Sequence, residues 1–337
     1  MNAIMKDLKD YGAWTLACHF FSKATGIWEP YQDAKLAVIK KRNPVYSQTS
    51  EACIPQLKHW WADATGGGQL DLENPTGFDE KIQWLKVYDS TPLKTRCADK
   101  YLARGYVAEK IGEEHLVPLL GVWDSFDQID FDKLPQQFVL KTNHASGQII
   151  VCKDKATFDK KSAKKKFDRW MSDCYSMVYT SCELHYRDIP RKVLAEQYLE
   201  QLDGGLTDYR FHCFSGKAQI CQAMQYDDLS NSHMAGLTYY DRNWQNMGFT
   251  QVGAAYYEKE FDKPASFDQM IHLAERLAEP FCYVRVDLYD LAGKILFGEL
   301  TFTPCSGTQK WDPPEANERL GALLTLPKER YILPAVR

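Results

Sequence analysis

The 337-residue chain lacks a marked excess of charge of either sign. It has 41 lysines and arginines against 45 aspartates and glutamates, which gives a formal net charge of −4. Proteins dedicated to binding nucleic acid are usually strongly basic, so this balance argues against a nucleic-acid partner. The contents of hydrophobic residues (45%) and charged residues (26%) are those of a globular protein that buries a sizeable core.

Metal-binding and redox cysteine motifs are also missing. No pair among the ten cysteines has C-x-x-C spacing, which excludes a zinc ribbon and a thioredoxin-type redox site. Several cysteines, such as Cys152 and Cys282, lie inside short apolar runs, where a reduced thiol behaves as a small hydrophobic side chain. We therefore expect a protein of a reducing compartment.

Long hydrophobic runs are absent as well. The apolar stretch Tyr11–Phe21 is too short to span a bilayer, and His19 interrupts it. The basic residues before it alternate with acidic ones and no small-residue cleavage site follows, unlike a signal peptide. A cytoplasmic protein is expected, and a shallow helix that associates peripherally with the inner face of a membrane is the alternative.

Common nucleotide-binding and catalytic patterns are not found. The sequence has no G-x-x-x-x-G-K-[ST] motif and no G-x-G-x-x-G motif, which argues against a P-loop and against a Rossmann dinucleotide site. A Ser-His-Asp set is not visible either. We therefore expect His144, His185 and His212 to be structural or to contact substrate rather than to catalyse the reaction.

Helical patterns dominate the first part of the chain. Residues 1–77 are rich in aromatic side chains and end in a cluster of helix breakers that includes Gly66-Gly67-Gly68. Residues 78–137 are expected to form a helical linking region. Thr76 is expected to cap its first helix, with Asp79 closing the reciprocal bond.

Strand patterns begin at Phe138, where two short apolar runs flank the turn Thr142–Gly147. Strands then interleave with helices, one of which is expected to start at Ser266, without the regular spacing of βαβ units. This pattern predicts an α+β fold.

The most informative segment is a predicted acidic hairpin near the C-terminus. A turn centred on Gly293 would set Asp287 opposite Glu299, because side chains on a strand alternate between its two faces. Phe297, Glu299, Thr301 and Thr303 are expected to share one face. Such oxygen ligands suit Mg²⁺, which commonly joins one or two carboxylates to nucleotide phosphates. An ion-pair network with Arg285 on a solvated sheet face is the alternative.

A lysine and a turn form the second candidate. Lys141 ends a strand, and the turn that follows can present backbone N–H groups to phosphate oxygens while the lysine supplies positive charge. Lysines often end strands, so this signal is weak alone. Glu196 ends another strand and Asp208 follows a dozen positions later, which would suit an adenine edge and a ribose.

Taken in order, these segments resemble the ATP-grasp superfamily, and more closely its TupA-like branch, named for teichuronic acid biosynthesis. The resemblance covers about residues 75–325. Its blocks are Phe78–Lys86, Ala98–Tyr101, Val139–His144, Asp208–Phe211 and Phe297–Phe302. It implies an α+β ATP-grasp fold in which a small subdomain (138–200) and a large subdomain (201–337) clamp a nucleotide.

The resemblance also implies three groups of site residues. The residues that contact ATP are Lys100, Lys141, Ser146, Gly147, Glu196, Gln197, Leu199 and Asp208. The Mg²⁺ ligands are Asp287, Glu299 and Thr301. The catalytic residues are Arg285 and Lys141.

Within these groups, Lys100 and Lys141 correspond to the two lysines that contact phosphate. The Ser146-Gly147 turn corresponds to the loop over the phosphates, although it has fewer glycines than usual. Thr301 stands where many members have asparagine, and a hydroxyl binds Mg²⁺ more weakly than an amide carbonyl. Arg285 corresponds to the arginine that steadies negative charge on the reacting carbonyl.

The implied activity is that of a ligase that joins a carboxylate to an amine through an acyl phosphate. TupA-like proteins are associated with bacterial surface polysaccharides, including capsule and teichuronic acid. The expected substrates are therefore an acidic sugar or polysaccharide, such as a uronic acid, and an amine or amino acid. The lysine-rich segment Lys153–Arg169 would attract an acidic glycan or form the solvated face of a helix.

Three other functions remain open from the sequence. The first is an ATP-dependent sugar or glycan kinase on the same fold, and the second is a metal-dependent glycosyltransferase. The third is an inactive partner in a polysaccharide assembly complex. The oligomeric state is not indicated.

Overall fold

The computed structural model describes residues 9–11, 13–15, 17–20, 29–42, 49–172, 176–199, 207–228, 233–252 and 260–335. Parts of the apolar stretch Tyr11–Phe21, Cys174 and the predicted subdomain boundary at residues 200 and 201 lie outside these ranges. Within them, no helix has both the length and the apolar character needed to cross a lipid bilayer.

Helices occupy the N-terminal part of the chain and recur later between strands. The helices are Glu29–Arg42, Ile54–Ala64, Phe78–Tyr88, Pro92–Ala98, Leu102–Ile111, Lys160–Ser172, Ser176–Thr180, Phe267–Ala278 and Ala316–Leu323. The described positions between residues 9 and 20 are helical as well. The predicted helical N-terminal segment is thereby confirmed.

The strands form antiparallel sheets. In chain order they are β1 (Leu119–Trp123), β2 (Phe138–Thr142), β3 (Ile149–Cys152), β4 (Val193–Gln197), β5 (Thr207–Phe214), β6 (Lys217–Asp228), β7 (His233–Asp241), β8 (Thr250–Gln251), β9 (Tyr283–Leu291), β10 (Lys294–Thr301) and β11 (Trp311–Asp312). One sheet has the order β1-β4-β2-β3, a second has the order β10-β9-β5-β6-β7, and β11 pairs with β8. These sheets, interleaved with helices, confirm the predicted α+β class.

The four-stranded sheet takes its edge strand from the segment predicted to be a linking region. β1 pairs with β4, with Trp123 opposite Val193. The sheet therefore extends beyond the predicted small subdomain, whose boundaries remain a prediction.

Each large sheet has its own hydrophobic core. Phe138 and Leu140 of β2 face a core that includes Phe167 of the helix Lys160–Ser172. The five-stranded sheet packs against the helix Phe267–Ala278. Because strand side chains alternate, the face of each sheet opposite its core is left to line a cleft.

Two predicted helix caps differ from the structure. Gly77, not Thr76, is the N-cap of its helix, and Glu80 closes the first turn by accepting hydrogen bonds from the N–H groups of Thr76 (2.9 Å) and Gly77 (3.2 Å). Asp79 instead points inward and accepts a hydrogen bond from Trp311 Nε1 at 3.2 Å. The helix after Ser266 begins as predicted, but the Ser266 hydroxyl donates to Asp290 rather than capping it.

Candidate functional site

A cleft of about 420 Å³ lies between the two large sheets. Pockets for small molecules are typically about 300–1,000 Å³. The predicted site residues that line the cleft are Lys100, Lys141, Ser146, Gly147, Glu196, Gln197, Leu199, Asp208, Asp287 and Glu299. Arg285 and Thr301 donate hydrogen bonds to two of these residues, Asp287 and Glu299. Residues separated by up to two hundred positions in the sequence are thus brought together.

The four-stranded sheet supplies a partly buried ion pair to one wall of the cleft. Lys141 and Glu196 lie on neighbouring strands β2 and β4, on the face opposite Phe138 and Leu140. Lys141 Nζ is 2.5 Å from Glu196 Oε2, and Arg104 Nη1 lies 3.4 Å from Glu196 Oε1. The carboxylate therefore holds two cationic side chains at the wall of the cleft.

Lys100 connects this wall to the loop after β2. Its backbone N–H donates to the carbonyl of Asn143 at 3.0 Å, and its ammonium donates to the carbonyl of Ala145 at 2.7 Å. Asn143 is itself fixed by hydrogen bonds with the backbone of Pro190 and Lys192. One end of the loop is thereby anchored, while Ser146 and Gly147 are exposed at the cleft.

Gly147 is suited to close approach by a ligand. Its φ is +71°, and a Cβ atom at this position would meet no atom within 4 Å. An anion approaching this backbone would thus meet open space.

The predicted acidic hairpin is present in the five-stranded sheet. β9 and β10 join through the turn Ala292-Gly293, and Asp287 is directly opposite Glu299, as predicted. A β-bulge between Phe297 and Glu299 shifts the register by one residue, so that Phe297 pairs with Leu288. The prediction that Phe297 shares a face with Glu299 is therefore wrong, because the sequence pattern assumed an unbroken strand.

Thr303 also differs from the prediction. β10 ends at Thr301, and the Thr303 hydroxyl is buried and donates to Glu183. Thr303 therefore lies beyond the strand, and its hydroxyl is engaged by Glu183.

The three predicted metal ligands converge on one point. Arg285 Nη2 lies 2.5 Å from Asp287 Oδ2, 3.1 Å from Glu299 Oε1 and 3.1 Å from Thr301 Oγ1. A single cationic nitrogen is thus surrounded by three hard oxygen atoms, and the donor set fits Mg²⁺ once the guanidinium group moves aside. The described residues contain no cluster of three or more His, Cys, Asp or Glu side chains that could hold a metal ion. A metal here would need further oxygen ligands from a substrate.

Charged side chains on the two walls of the cleft shift each other's pKa values. Burial alone would raise the pKa of Glu299, but the positive charges of Lys100, Arg285 and Arg210 outweigh it and lower that pKa. Burial also lowers the pKa of Lys100, an effect that Glu299 opposes and Lys141 adds to. Burial raises the pKa of Asp287, against the opposing charges of Arg285 and Arg210. The cleft therefore holds charges of both signs within a poorly solvated space.

One part of the cleft is apolar. The side chains of Leu116, Val117, Val139 and Val151 line it together with the segment 197–199. Apolar walls of this kind suit a purine base, which needs apolar contact on its faces. The assignment of this segment to adenine stays a prediction.

Arg210 is a site residue that the sequence pattern did not single out. It lines the cleft from β5, and its Nε lies 2.7 Å from Asp208 Oδ2 and 3.6 Å from Asp287 Oδ2. The available signal was the spacing Asp208-x-Arg210, which repeats the alternation of Arg285-x-Asp287 on one face of a strand. Arg104 had no comparable signal, because it reaches Glu196 from a helix distant in sequence.

Burial and nearby positive charges favour the neutral form of the buried histidines. Burial lowers the pKa of His144 to about 4 and that of His212 to about 3. His212 lies 2.9 Å from the Tyr283 hydroxyl through Nδ1. Among the described residues that line the cleft there is no histidine. We assign no catalytic role to these side chains.

Comparison with known proteins identifies the family. The model of the TupA-like ATP-grasp family matches residues 80–325. A search of curated proteins gives no significant match.

Solved structures with partial similarity include two D-alanine–D-alanine ligases. The ligase from Helicobacter pylori is 14% identical with a TM-score of 0.35, and the match covers 68% of this chain and 61% of that one. The ligase from Bacillus anthracis is 18% identical with a TM-score of 0.36, covering 68% and 65%. The chain thus spans less than two thirds of the length of either ligase.

A third solved structure is that of the D-cycloserine synthetase DcsG. It is 14% identical with a TM-score of 0.43, and the match covers 80% of this chain and 93% of that one. These similarities are too low to indicate an activity or a substrate. The family model, in contrast, covers well over half of the sequence. The chain therefore belongs to the TupA-like family of ATP-grasp enzymes.

Proposed function

We propose that the protein is an ATP- and Mg²⁺-dependent ligase that joins a carboxylate to an amine through an acyl phosphate. The observation that carries this proposal is the cleft itself. Lys100 and Lys141 approach it from one side, and Asp287 and Glu299 approach it from the other. Two ammonium groups and two carboxylates around one cavity suit a triphosphate with its divalent ion.

The proposed reaction has two steps. A carboxylate oxygen of the first substrate attacks the γ-phosphorus of ATP, and the bond from that phosphorus to the bridging oxygen breaks, which releases ADP. The nitrogen of an amine then attacks the carbonyl carbon of the acyl phosphate, inorganic phosphate leaves, and the amine proton passes to solvent. Such a reaction depends mainly on positioning and charge compensation, so that no Ser-His-Asp set is needed.

The roles of individual residues follow from their positions. Lys100 and Lys141 would compensate charge on the phosphate oxygens, with Ser146 and Gly147 offering backbone N–H groups. Arg285 would stabilise the oxyanion that forms on the carbonyl during amine attack.

Asp287, Glu299 and Thr301 would hold Mg²⁺ where Arg285 Nη2 now lies. When bound, Mg²⁺ would neutralise charge on the phosphates and orient them. Gln197, Leu199 and Asp208 would contact the adenine and the ribose.

For substrates we propose a uronic acid, or a similar acidic sugar of a bacterial surface polysaccharide, and an amine or amino acid. The support is the resemblance to TupA-like proteins. The lysine-rich helix Lys160–Ser172 adds little, because Lys164 is paired with Asp127 and Asp168 and the helix buries Phe167 against the sheet. We interpret its lysines as the solvated face of an amphipathic helix.

A sugar kinase would use the same lysines and carboxylates, so it stays the second candidate. A glycosyltransferase is less well supported. The sequence Asp130-Phe131-Asp132 has the D-x-D spacing of many such enzymes, but its carboxylates are exposed and belong to a 3₁₀ turn, and the cleft-lining residues do not include them.

Nucleotide binding is the first test. We expect MgATP to raise the melting temperature of the protein, ATP with EDTA to raise it less, and UDP-sugars to leave it unchanged. Lys141→Ala and Glu299→Gln should remove ATP turnover while retaining the fold. Lys133→Ala is the matched control, because this lysine is 84% exposed and pairs only with a neighbouring surface aspartate. Near-normal turnover in either site variant would contradict the site assignment.

Trapping with hydroxylamine separates the ligase from the kinase. Glucuronate and galacturonate serve as carboxylate probes, and hydroxylamine replaces the amine. An acyl phosphate gives a hydroxamate, which iron(III) detects by its colour, whereas a phosphorylated hydroxyl group gives none. Consumption of ATP with a uronic acid but without hydroxamate would favour the kinase.

A further inference from the structure

The segment that follows β10 contains an unusual turn. Cys305, Ser306 and Gly307 have φ values of +48°, +53° and +63°, so three successive residues are left-handed. Two of them carry side chains, for which this conformation costs roughly 1–2 kcal/mol each. Such a turn persists only where its surroundings hold it in place.

Two side chains of the helix Phe78–Tyr88 donate hydrogen bonds to this turn. Lys86 Nζ donates to the carbonyl of Ser306 at 2.7 Å and to Gln83 Oε1 at 2.8 Å. Gln83 Nε2 donates to the carbonyls of Gly307 at 2.6 Å and Ser306 at 3.1 Å. Both side chains have no exposed surface. The family block Phe78–Lys86 thus contains two residues, Gln83 and Lys86, that bind the turn.

Glu183 holds the same turn from the other side. Its Oε1 accepts hydrogen bonds from the hydroxyls of Ser306 at 2.6 Å and Ser181 at 2.8 Å, and its Oε2 accepts one from Thr303. Ser306 is therefore fixed at its carbonyl by Lys86 and at its hydroxyl by Glu183.

The buried ammonium group of Lys86 adds little to the stability of the folded protein, because burial removes its hydration. Its burial lowers the pKa of the ammonium to about 8, which shows that desolvation is only partly offset by Glu183 and other neighbours. A buried charge costs free energy unless it is paired and hydrogen-bonded. The hydrogen bonds of Lys86 and Glu183 do, however, fix the geometry of the turn.

The turn lies close in sequence to the end of β10, which carries Glu299 and Thr301. Burial raises the pKa of the Cys305 thiol, and the positive charges of Arg285 and Arg210 oppose this rise. Thr301, which contacts Arg285, precedes the turn by only a few residues. A fixed turn therefore holds the end of β10, where Thr301 contacts Arg285.

We propose that Lys86 is a positioning residue, which together with Glu183 fixes the left-handed turn Cys305–Gly307 and, through it, the end of β10 where Thr301 contacts Arg285. The role in catalysis rests on the proposed ligase function, whereas the grip on the turn does not. Lys86 acts through Ser306, so its loss would leave nucleotide binding intact and reduce turnover.

The test uses Cys305, which is exposed, as a reporter of the turn. In Lys86→Met, alkylation of Cys305 by N-ethylmaleimide, followed by mass spectrometry of its peptide, should be at least about tenfold faster than in the wild type, since a charged hydrogen bond is lost. The Kd for MgADP should stay within about twofold, and the kcat of MgATP turnover should fall about tenfold at an unchanged KM for ATP.

Lys81→Met is the matched control. Lys81 lies on the same helix and donates to two carbonyls, of Gly321 and Leu324, both at 2.8 Å, but these belong to the C-terminal helix region. This variant should leave Cys305 alkylation unchanged. Ser306→Ala, which removes only the hydroxyl bonded to Glu183, should accelerate alkylation to a smaller extent and serves if Lys86→Met does not fold.

Two results would contradict the proposed fixing of the turn. One is an alkylation rate of Cys305 that is unchanged in both Lys86→Met and Ser306→Ala. The other is a rate that rises as much in Lys81→Met as in Lys86→Met. Faster alkylation with unaltered kcat would overturn the positioning role. If the wild type failed to bind MgADP, the proposed function would fail, whereas the alkylation result would still report on the turn.

Discussion

The burial of the Asp79 carboxyl group predicts how the free energy of unfolding changes with pH. Its side chain is 5% exposed and accepts a hydrogen bond from Trp311, and desolvation raises the pKa of its carboxyl from 3.8 to about 7. A carboxyl whose pKa is raised by folding binds a proton more tightly in the folded state. The free energy of unfolding therefore falls as the pH rises from about 4 to 7 on account of this group.

Asp79→Asn removes this titration while keeping the shape and an oxygen acceptor for Trp311. A shift of about 3 pKa units corresponds to a penalty of about 4 kcal/mol above pH 7, and the part that appears between pH 5 and pH 8 is about 2–3 kcal/mol. We therefore expect the variant to gain stability relative to the wild type as the pH rises. The gain in melting temperature between these pH values should be about 3–4 °C for a chain of 337 residues.

The assay is thermal or urea unfolding of both proteins at half-unit pH intervals, with a carboxyl NMR titration of Asp79 as the direct check. A stability difference that stays constant from pH 5 to pH 8 would refute the reasoning, because a pH-independent effect can only come from packing. A difference that shrinks as the pH rises would show that Asp79 is ionised and favourably paired in the folded protein.

Three further predictions test the fold and the site. Gly307→Ala should cost about 3 kcal/mol or more, because its Cβ would lie 2.5 Å from Gln83 Nε2 at a φ of +63°. Gly293→Ala, at a φ of +92° with no atom within 4 Å, should cost only about 1 kcal/mol, and denaturant unfolding compares the two. Arg210→Gln should lower MgATP turnover about a hundredfold in steady-state kinetics, since a cation between two carboxylates is lost. Phe167→Ala should lower stability by about 3–5 kcal/mol, because this fully buried ring fills the core of the four-stranded sheet.

Sequence patterns were sufficient to predict those strands and turns that form between residues close together in the chain. The two-residue alternation in β9 and β10, interrupted by a turn at Gly293, predicted that Asp287 faces Glu299, and the register agrees. The apolar runs around Thr142–Gly147 likewise predicted β2 and β3, which pair as expected. In these cases the relevant contacts lie within a few residues of each other, so the sequence carries them.

The register of one strand and the N-cap of one helix could not be predicted, because two local arrangements fitted the sequence almost equally well. The β-bulge at Gly298 pairs Phe297 with Leu288. One inserted residue moves every preceding side chain of the strand to the opposite face of the sheet. Thr76 and Gly77 each precede an acidic residue at a suitable spacing, and packing of the Asp79 side chain against Trp311 decided between them.

Sequence patterns were enough to predict the α+β class and the acidic hairpin. The packing of sheets and helices, in contrast, placed Arg210 between Asp208 and Asp287, and placed Lys86 and Glu183 on two sides of Ser306. The reason is physical. A strand or turn is set by interactions between near neighbours in the chain, whereas a buried charge is placed by groups that are distant in sequence and meet only when the sheets and helices have packed.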